Sequence, residues 1–318
     1  MFVEYVWLDS SGNYRSKTKV IYDDLKNIKE LPLWNYDGSS TNEANTENSE
    51  IILKPCSVFK DPFRGGDCLM VLCETYDGEM TPLASNTRAS AETFFEKHKD
   101  KECVFGIEQE FFLERGGELL AWYDSKTDKT VVPEKQGQYY CGNGYNNAIG
   151  RSCVNDAMKR CIHSGIKITG MNAEVAPSQW ELQVCNIDIN AADNLIMLRY
   201  ILIRTAESYG LTVNFHPRPE QLERYTGDVW NGSGCHVNFS TKEMRDKDGY
   251  SKVVEAVKRL GESHSEDIKF YGTDNEKRLT GKNETAKYGE FTYGVGSRNT
   301  SVRIPKSVKN KKRTRKSR

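Results

Sequence analysis

Four glutamates and one histidine are the residues of this 318-residue chain best suited to chemistry, because each lies in or beside a strand-like segment where a charge needs compensation. They are Glu108 and Glu110 in GIEQEFF, Glu174 in NAEVAP, Glu181 in QWELQV and His236 in GCHVNF. Burying like charges beside apolar residues is costly unless a cation joins them or their pKa values rise. A carboxylate-rich set with one imidazole and no paired cysteines favours Mg²⁺ or Mn²⁺ over structural zinc.

Strand periodicity places these side chains on polar faces. Glu108 and Glu110 alternate with Ile107, Gln109 and Phe111, which point to the opposite face. Two further segments alternate in the same way and align Glu181 with Gln179 and Gln183, and His236 with Asn238 and Ser240. Three predicted strands therefore each present a polar face. The alternative is that these faces are exposed to solvent and carry Glu and His as ordinary surface residues.

Length and composition predict a sizeable soluble enzyme of about two domains, since 318 residues with 37% hydrophobic content can bury a substantial core. No apolar run approaches the roughly 20 residues that span a bilayer, and the N-terminus MFVEYVWLDSSG lacks the basic and apolar regions of a signal peptide. We therefore expect a cytoplasmic protein without membrane contact. Nine scattered cysteines without a CxxC pair predict buried, reduced thiols.

The zero net charge conceals a basic C-terminal end. Residues 306–318 hold eight Lys or Arg and no acidic residue, so the remainder of the chain carries a net charge of −8. Such a segment is typical of nucleic-acid binding or of a localisation signal, and the alternative is a solvated, disordered tail at 309–318. The second interpretation is preferred, and nucleic acid is not an expected partner.

The order of the predicted elements indicates two regions. Residues 1–80 predict a small β-rich domain of short strands and turns, with a hairpin at SSGN. A boundary is expected at GEMTPLASN, followed by a helix capped by Ser85 or Asn86. From there strands alternate with helices to residue 308, which predicts an α+β or α/β catalytic domain at 86–308.

Several site signatures are absent from the sequence. The chain has no GxxxxGK[ST] phosphate loop, no GxGxxG after a strand, no GxSxG elbow and no HExxH helix. A nucleotide would therefore be bound by metal and arginine. Arg278, Arg298 and Arg303 are candidates, because an arginine fork suits carboxylate and phosphate groups, although ordinary surface arginines are the alternative.

Several long motifs stand out along the chain: WNYDGSST, DPFRGGD, GIEQE, QYYCGNG, MNAEVAPSQWELQV, WNGSGCHVNFSTKEMR, RLTGKNET and SRNTSVRIP. In these motifs the chain resembles glutamine synthetase in its eukaryotic form, and the resemblance is collinear from residue 2 to about residue 308. It implies an α+β fold, with an N-terminal β-grasp domain and a catalytic domain like those of glutamine synthetases and guanido kinases, with a curved antiparallel sheet and flanking helices.

The resemblance implies an ATP-dependent ligase that joins ammonia to L-glutamate through γ-glutamyl phosphate, with two divalent ions. Glu110, Glu174 and Glu181 would hold the first ion. Glu108 and His236 would hold the second, on the ATP phosphates. The expected partners are L-glutamate, ammonium, ATP and further copies of the chain in stacked rings, with active sites between subunits.

The resemblance also implies roles for residues outside the metal site. Asp37, with Ser40 beside it, would take the proton from ammonium across a subunit boundary, and Glu284 would close the site against water. The transferring phosphoryl group would be stabilised by Arg298 and Arg303. The substrate set would be Trp230, Asn231, Gly232, Arg278 and Arg298, and the nucleotide set Glu108, Glu181, Asn238, Ser240, Arg298 and Arg303.

The chain departs from the family pattern at both ends. It starts at the first β-grasp strand, and after SVRIPKSV it gives KNKKRTRKSR where the family continues to GYFEDRRP and a helical region. Smaller departures are Cys185 and Asn186 in place of Gly-Pro, and Lys282 and Asn283 in place of Arg-His. We therefore expect either a glutamine synthetase shortened by a shifted reading frame, or an impaired paralogue or fragment that binds metal or nucleotide or joins complete subunits. A ligase for another amine is a third hypothesis.

Overall fold

The computed structural model of the protein describes residues 1–22, 30–120, 122–124, 127, 129–130, 136–226 and 230–310. Of the basic tail predicted at 309–318, all but the first two residues lie outside these ranges, so its disorder stays a prediction. None of the helices in the described ranges is long and apolar enough to cross a membrane.

The described strands include the predicted strands that carry GIEQEFF, QWELQV and GCHVNF. In chain order they are β1 Phe2–Leu8, β2 Tyr14–Val20, β3 Trp34–Asp37, β4 Glu50–Lys60, β5 Leu69–Tyr76, β6 Val104–Arg115, β7 Glu118–Leu119, β8 Tyr123–Asp124, β9 Lys129–Thr130, β10 Ile168–Ala173, β11 Gln179–Ile187, β12 Thr212–Asn214, β13 Cys235–Ser240, β14 Tyr293–Val295 and β15 Val302–Ile304.

Four longer helices and four short ones accompany the described strands. They are α1 Thr87–Lys97, α2 Arg151–His163, α3 Asp188–Ser208, α4 Glu220–Thr226, α5 Lys242–Arg245, α6 Tyr250–Asp267, α7 Asn275–Arg278 and α8 Lys306–Asn310. The predicted cap of α1 is resolved in favour of Asn86, whose side chain accepts a hydrogen bond from the Ala89 N–H. Ser85 is therefore the wrong alternative.

Two compact units share the chain. The first joins Met1–Asp100 with Asn155–Ile168 and Val184–Arg204, and the second contains the other described residues. These units are defined by contacts rather than by chain order, so the predicted domains at 1–80 and 86–308 stay predictions.

The first unit contains a five-stranded sheet in the order β2-β1-β5-β4-β3. The predicted hairpin is confirmed, since β1 and β2 pair antiparallel, and β1 also runs parallel to β5. Val3, Tyr5, Leu53 and Val71 are fully buried on this sheet, and burial of such side chains is the main stabilising contribution of the core. This mixed sheet agrees with the predicted β-grasp domain.

A buried carboxylate anchors β1 within this unit. Glu4 is 3% exposed and accepts hydrogen bonds from the Tyr200 and Ser16 hydroxyls at 2.6 and 2.8 Å. Arg204 and Arg64 add ion pairs at 3.0 and 2.5 Å. Burial acts to raise the pKa of Glu4, but the Tyr200 hydroxyl, Ser16 and Arg64 outweigh it and lower that pKa to about 2.

The second unit is organised around β6. Its sheet has the order β10-β11-β6-β12, and β13 and β7 also pair with β6. Antiparallel pairing joins β6 to β12, β13 and β7. Phe111, Phe112 and Leu113 of β6 are fully buried. The central strand of this sheet is therefore the one that carries the GIEQEFF motif.

All nine cysteines are free thiols, as predicted. Cys73, Cys103, Cys153 and Cys161 are buried, whereas two others, Cys141 and Cys235, are exposed. The prediction of buried thiols is wrong for these two, which lie in the glycine-containing segments CGNG and GSGC.

Candidate active site

The register between β6 and β13 brings three of the predicted ligands together, namely Glu108, Glu110 and His236. His236 lies opposite Glu108 in this antiparallel pair. The His236 Nδ1 atom is 3.6 Å from Glu108 Oε2 and 3.8 Å from Glu110 Oε1. The predicted alternation holds, because Ile107 and Phe111 are buried on the other face. Glu110 is also buried, at 7% exposure, so the polar face is only partly open to solvent.

Glu110 is fixed by the backbone of the segment before β13. Its N–H donates to the Gly234 carbonyl at 2.9 Å, and the Gly234 N–H donates to Glu110 Oε2 at 2.7 Å. A Cβ atom at position 234 would lie 2.9 Å from Arg278 Nη2 and 3.1 Å from the His236 ring. Gly234 therefore allows the backbone to approach both the carboxylate and the guanidinium.

Glu174 and Glu181 are each oriented by an amide two residues away. Asn172 Nδ2 donates to Glu174 Oε1 at 2.8 Å, and Gln183 Nε2 donates to Glu181 Oε1 at 2.5 Å. Each bond fixes one carboxylate oxygen and leaves the other for a further partner. Such orienting contacts are typical of carboxylates that ligate metals.

The structure brings the five predicted ligands into two groups that share Glu181. One group is Glu110, Glu174 and Glu181, and the other is Glu108, Glu181 and His236. Within each group the ligand atoms lie within 4.8 Å of one another. The first group is the predicted one, and the second gains Glu181, which the sequence placed with the first ion. The oxygen-rich donor set fits Mg²⁺ or Mn²⁺.

Carboxylates repel one another at Glu174 and Glu181, whereas the charge of Glu108 is compensated by His236. Burial, together with the charges of Glu110 and Glu181, raises the pKa of Glu174 to about 8. Burial also raises the pKa of Glu181, and Glu108 adds to this effect. By contrast, the contact with His236 lowers the pKa of Glu108, and the same contact raises the pKa of His236. A divalent cation would relieve the crowded carboxylates.

A polar pocket adjoins these groups. It is lined by Arg218, Trp230, Asn231, Gly232, Arg278, Asn283 and Thr285. Asn231 Oδ1 and Arg278 Nε are buried and have no hydrogen-bond partner in the described structure. Arg278 also connects the pocket to the ligand groups, because its Nη2 is 3.4 Å from His236 Nε2. The pocket therefore offers an unpaired acceptor and an unpaired cationic donor.

The wall of this pocket is set by a close backbone approach. A Cβ atom on Gly232 would lie 1.8 Å from the Pro217 carbonyl oxygen, so no other residue fits without moving the backbone. The neighbouring Trp230 is 4% exposed and packs edge-to-face on Trp122, with ring centroids 5.1 Å apart. Both predicted substrate residues therefore belong to a tightly built segment.

Glu284, which is predicted to close the site against water, lies in a segment of unusual backbone, residues 283–285, called the flap below. Asn283 and Glu284 are consecutive non-glycine residues with φ of 53° and 63°, a strained combination found at functional loops. Glu284 Oε2 is 3.4 Å from Arg298 Nη1, so two predicted site residues pair directly. Both side chains are more than half exposed.

Three further residues assigned to the nucleotide are placed as follows. Asn238 Nδ2 donates to Glu108 Oε1 at 2.7 Å, so in this structure it orients a predicted metal ligand. The Ser240 hydroxyl accepts from Arg245 Nη1 at 3.2 Å. Arg303 lies in β15, and its charge contributes to the lowered pKa of Glu108.

The predicted proton acceptor Asp37 belongs to the first unit. It caps the short 3₁₀ turn Gly38–Thr41 and is exposed. Its carboxylate accepts from the Ser39 N–H and hydroxyl at 3.0 and 2.7 Å and from the Ser40 hydroxyl at 3.0 Å. The bonds from the hydroxyls of Ser39 and then Ser40 lower the pKa of Asp37, which therefore carries a negative charge at neutral pH.

Sequence reasoning assigned no role to three residues that orient this site. Asn172 and Gln183 each hold a glutamate carboxylate, and the Gln136 side chain accepts from the Asn231 N–H at 2.9 Å. For Gln183 a signal existed, because it lies two positions from Glu181 in β11 and so shares its face. Asn172 lies two positions before Glu174, which directly follows β10. Gln136 lies far from Asn231 in sequence, and no local pattern indicates it.

The fold and the site together define an α+β protein whose sheet carries two oxygen-rich groups that could hold cations, beside a polar pocket. A cryo-EM structure of glutamine synthetase from Plasmodium falciparum has the same fold, with a TM-score of 0.76 over 98% of this chain and 66% of that chain, at 16% sequence identity. The fold class predicted from the sequence is thereby confirmed.

Sequence similarity to curated proteins is stronger. Residues 85–260 match the model of the protein family described as "Glutamine synthetase, catalytic domain". Glutamine synthetases of Candida glabrata and Saccharomyces cerevisiae are each 44% identical over 97% of this chain, which covers 80% and 81% of their lengths. A putative glutamine synthetase of Acanthamoeba polyphaga mimivirus is also 44% identical, with 86% of its length covered. The chain belongs to the glutamine synthetase family, and its predicted class, a ligase, is confirmed.

Proposed function

We propose that this chain catalyses the ATP-dependent ligation of ammonia to L-glutamate, through γ-glutamyl phosphate. The observation that carries the proposal is the pair of ligand groups that share Glu181, next to a pocket with an unpaired guanidinium nitrogen and an unpaired amide oxygen. Membership of the glutamine synthetase family supports the same reaction. Cytoplasmic localisation stays a prediction.

The pocket suits the amino-acid end of L-glutamate. Arg278 Nε is a buried cationic donor and suits the α-carboxylate, and Asn231 Oδ1 is a buried acceptor and suits the α-ammonium group. A ligand that forms hydrogen bonds with both atoms would be favoured, because buried polar groups are stabilised by such partners. Trp230 and Gly232 would shape the same pocket, and Arg298 would contribute from the flap side.

The ligand groups suit two divalent ions. Glu110, Glu174 and Glu181 would hold one ion, and Glu108 and His236 would hold the other, with Glu181 within reach of both. When bound, the ions would neutralise charge on the carboxylate and triphosphate oxygens. The chain contributes the orientation, because Gly234, Asn172, Gln183 and Asn238 each direct one carboxylate.

Arginines would stabilise the transferring phosphoryl group. Arg298 and Arg303 are proposed for this role, because guanidinium groups match the geometry and charge of phosphate oxygens. The nucleotide would further contact Glu108, Glu181, Asn238 and Ser240. The Arg298 side chain is more than half exposed, so its guanidinium is accessible to such a ligand.

The ammonia step would use two carboxylates. Asp37 would accept a proton from ammonium, since its low pKa keeps it ionised. We propose that it acts across a subunit boundary in a homo-oligomer of stacked rings. Glu284 would close the site, because water would otherwise hydrolyse the acyl phosphate.

The test is release of ADP by the 318-residue chain with ATP, L-glutamate and ammonium, in Mg²⁺ and separately in Mn²⁺. We expect ADP release that depends on ammonium and yields glutamine. The variant E284Q should lower turnover and let part of the ADP form without glutamine, whereas E290Q, an exposed glutamate paired with Lys287, should match the unaltered chain. If the chain binds ATP and metal but releases no ADP, the proposal is wrong, and the chain is instead an impaired paralogue or fragment. Turnover only with amines other than ammonia would show that the chain is a ligase for another amine.

A further inference from the structure

His216 makes three hydrogen bonds outside the metal-ligand groups. Its N–H donates to Asn214 Oδ1 at 2.8 Å, in the last residue of β12. Its ring Nδ1 accepts the Arg218 N–H at 3.0 Å. Its ring Nε2 is 3.0 Å from Asp274 Oδ2. The imidazole therefore connects the segment after β12 with the residue that precedes α7.

These partners determine where the ring proton lies. Because Nδ1 accepts an N–H, it carries no hydrogen, so Nε2 carries the ring hydrogen and donates it to Asp274. The other oxygen of Asp274 pairs with Lys277 at 3.1 Å. Asp274 has φ of 59°, which favours Gly, Asn or Asp. The carboxylate is therefore held from two sides in a restricted backbone position.

Both segments that His216 connects contribute to the polar pocket. On one side the Pro217 carbonyl accepts the Ser233 N–H at 2.8 Å, and the Arg218 Nη1 atom donates to the Trp230 carbonyl at 2.7 Å. On the other side α7 ends at Arg278, whose Nε is the buried unpaired donor. The imidazole is thus a direct link between the wall that carries Gly232 and the helix that carries the guanidinium.

We propose that His216 is a positioning residue, which sets the distance between Arg278 and the Asn231–Gly232 wall through its bonds to Asp274 and to the Arg218 N–H. This inference rests on the proposed function only for the identity of the ligand, L-glutamate. The link itself is a property of the chain. Its role is in the affinity for the amino acid and not in the binding of ATP.

Four variants separate the two bonds of the ring. H216N keeps an acceptor near the Nδ1 position and loses the donor to Asp274, whereas H216Q keeps a donor near the Nε2 position and loses the acceptor. D274G removes the carboxylate and tolerates the positive φ, and D274N is its matched control. D274N tolerates the same φ and keeps an acceptor for the ring Nε2–H.

The first measurement is binding of L-glutamate and of ATP with Mg²⁺, each followed by calorimetry on the full chain. We expect D274G and H216N to weaken glutamate binding about tenfold and to leave ATP binding within about twofold, since one positioning hydrogen bond is lost. D274N should bind glutamate nearly as well as the unaltered chain. Equal glutamate affinity in D274G and the unaltered chain, or equal loss in D274N and D274G, would overturn the proposal.

Hydrogen exchange tests the link independently of any substrate. The Arg218 N–H keeps its His216 partner in D274G, so faster exchange at Arg218 and Ser233 in that variant, restored in D274N, shows that Asp274 acts through the ring. Unchanged exchange at both amides would refute the link. If the unaltered chain binds no glutamate but D274G still shows faster exchange at Arg218 and Ser233, the proposed function is refuted and the link through His216 is supported.

Discussion

A buried glutamate in the first unit and a half-buried one in the second have opposite electrostatic environments. Glu4 contacts two hydroxyls and two arginines. The Tyr200 hydroxyl, Ser16 and Arg64 outweigh the effect of burial and lower its pKa to about 2. The pKa of Glu174 is raised to about 8 by burial and by two neighbouring carboxylates. The first unit supplies its own cations. In the described part of the second unit, no Lys or Arg pairs with Glu174, which leaves that charge to an external cation.

The largest expected effect comes from the glutamate that both ligand groups share. E181Q should weaken binding of Mn²⁺ at least ~100-fold, because even second-shell partners of metal ligands are worth 10–100-fold. The measurement is titration calorimetry with Mn²⁺. E255Q, an exposed helical glutamate paired with Arg259, is the matched control and should bind Mn²⁺ normally. Normal binding by E181Q would show that the groups are not metal sites.

The corresponding change in the first unit should destabilise the fold. E4Q removes the charge that pairs with Arg64 and Arg204. We expect a loss of about 2 kcal/mol in the free energy of unfolding, which is less than the roughly 3–5 kcal/mol for breaking a fully buried pair. Both arginines are partly exposed, which reduces the effect. Urea unfolding measures it, with E255Q again as control at less than about 0.5 kcal/mol. An unchanged midpoint for E4Q would mean that Glu4 is not a stabilising partner.

The pH dependence of the unfolding free energy should also depend on the ion pairs of Glu4 with Arg64 and Arg204. The folded pKa of Glu4 lies below its unfolded value of 4.5, so its stabilisation is present above about pH 4.5 and is lost as pH falls towards 2. We expect part of the acid destabilisation of the protein, on the order of 2 kcal/mol, to be absent in E4Q. Parallel curves of unfolding free energy for E4Q and the unaltered chain between pH 5 and pH 2 would contradict this assignment.

The smallest expected effect has the opposite sign. E174Q removes one of three crowded carboxylates, so the metal-free protein should gain about 1 kcal/mol of stability, which thermal unfolding in EDTA detects. Saturating Mn²⁺ should reverse the order, because a cation that binds only the folded unaltered chain stabilises it. Lower stability of E174Q in EDTA would show that the group is compensated within the protein.

Much of the site could be predicted from the sequence. Alternation alone placed Glu108 and Glu110 on one face, and the structure agrees, because strand geometry has a period of two. The long motifs specified the fold and family. The sharing of Glu181 by two groups could not be predicted from spacing, since it depends on how β11 lies beside β6.

Long-range contacts were the other limit of prediction. Glu4 and Tyr200 are 196 positions apart, and nothing local in FVEYVWL indicates that its glutamate is buried with two arginines. The link from His216 to Asp274 spans 58 positions and has the same character. Such contacts depend on packing between elements, which a local pattern does not encode.

The close approach at Gly232 has a consequence for redesign. Since a Cβ atom there would lie 1.8 Å from the Pro217 carbonyl oxygen, a library randomised at Gly232 should return glycine in nearly every folded clone. Asn283 and Thr285 line the same pocket, and neither position carries this constraint. Variation of the accepted amino acid, in laboratory evolution or in nature, is therefore expected at these two positions while Gly232 stays invariant.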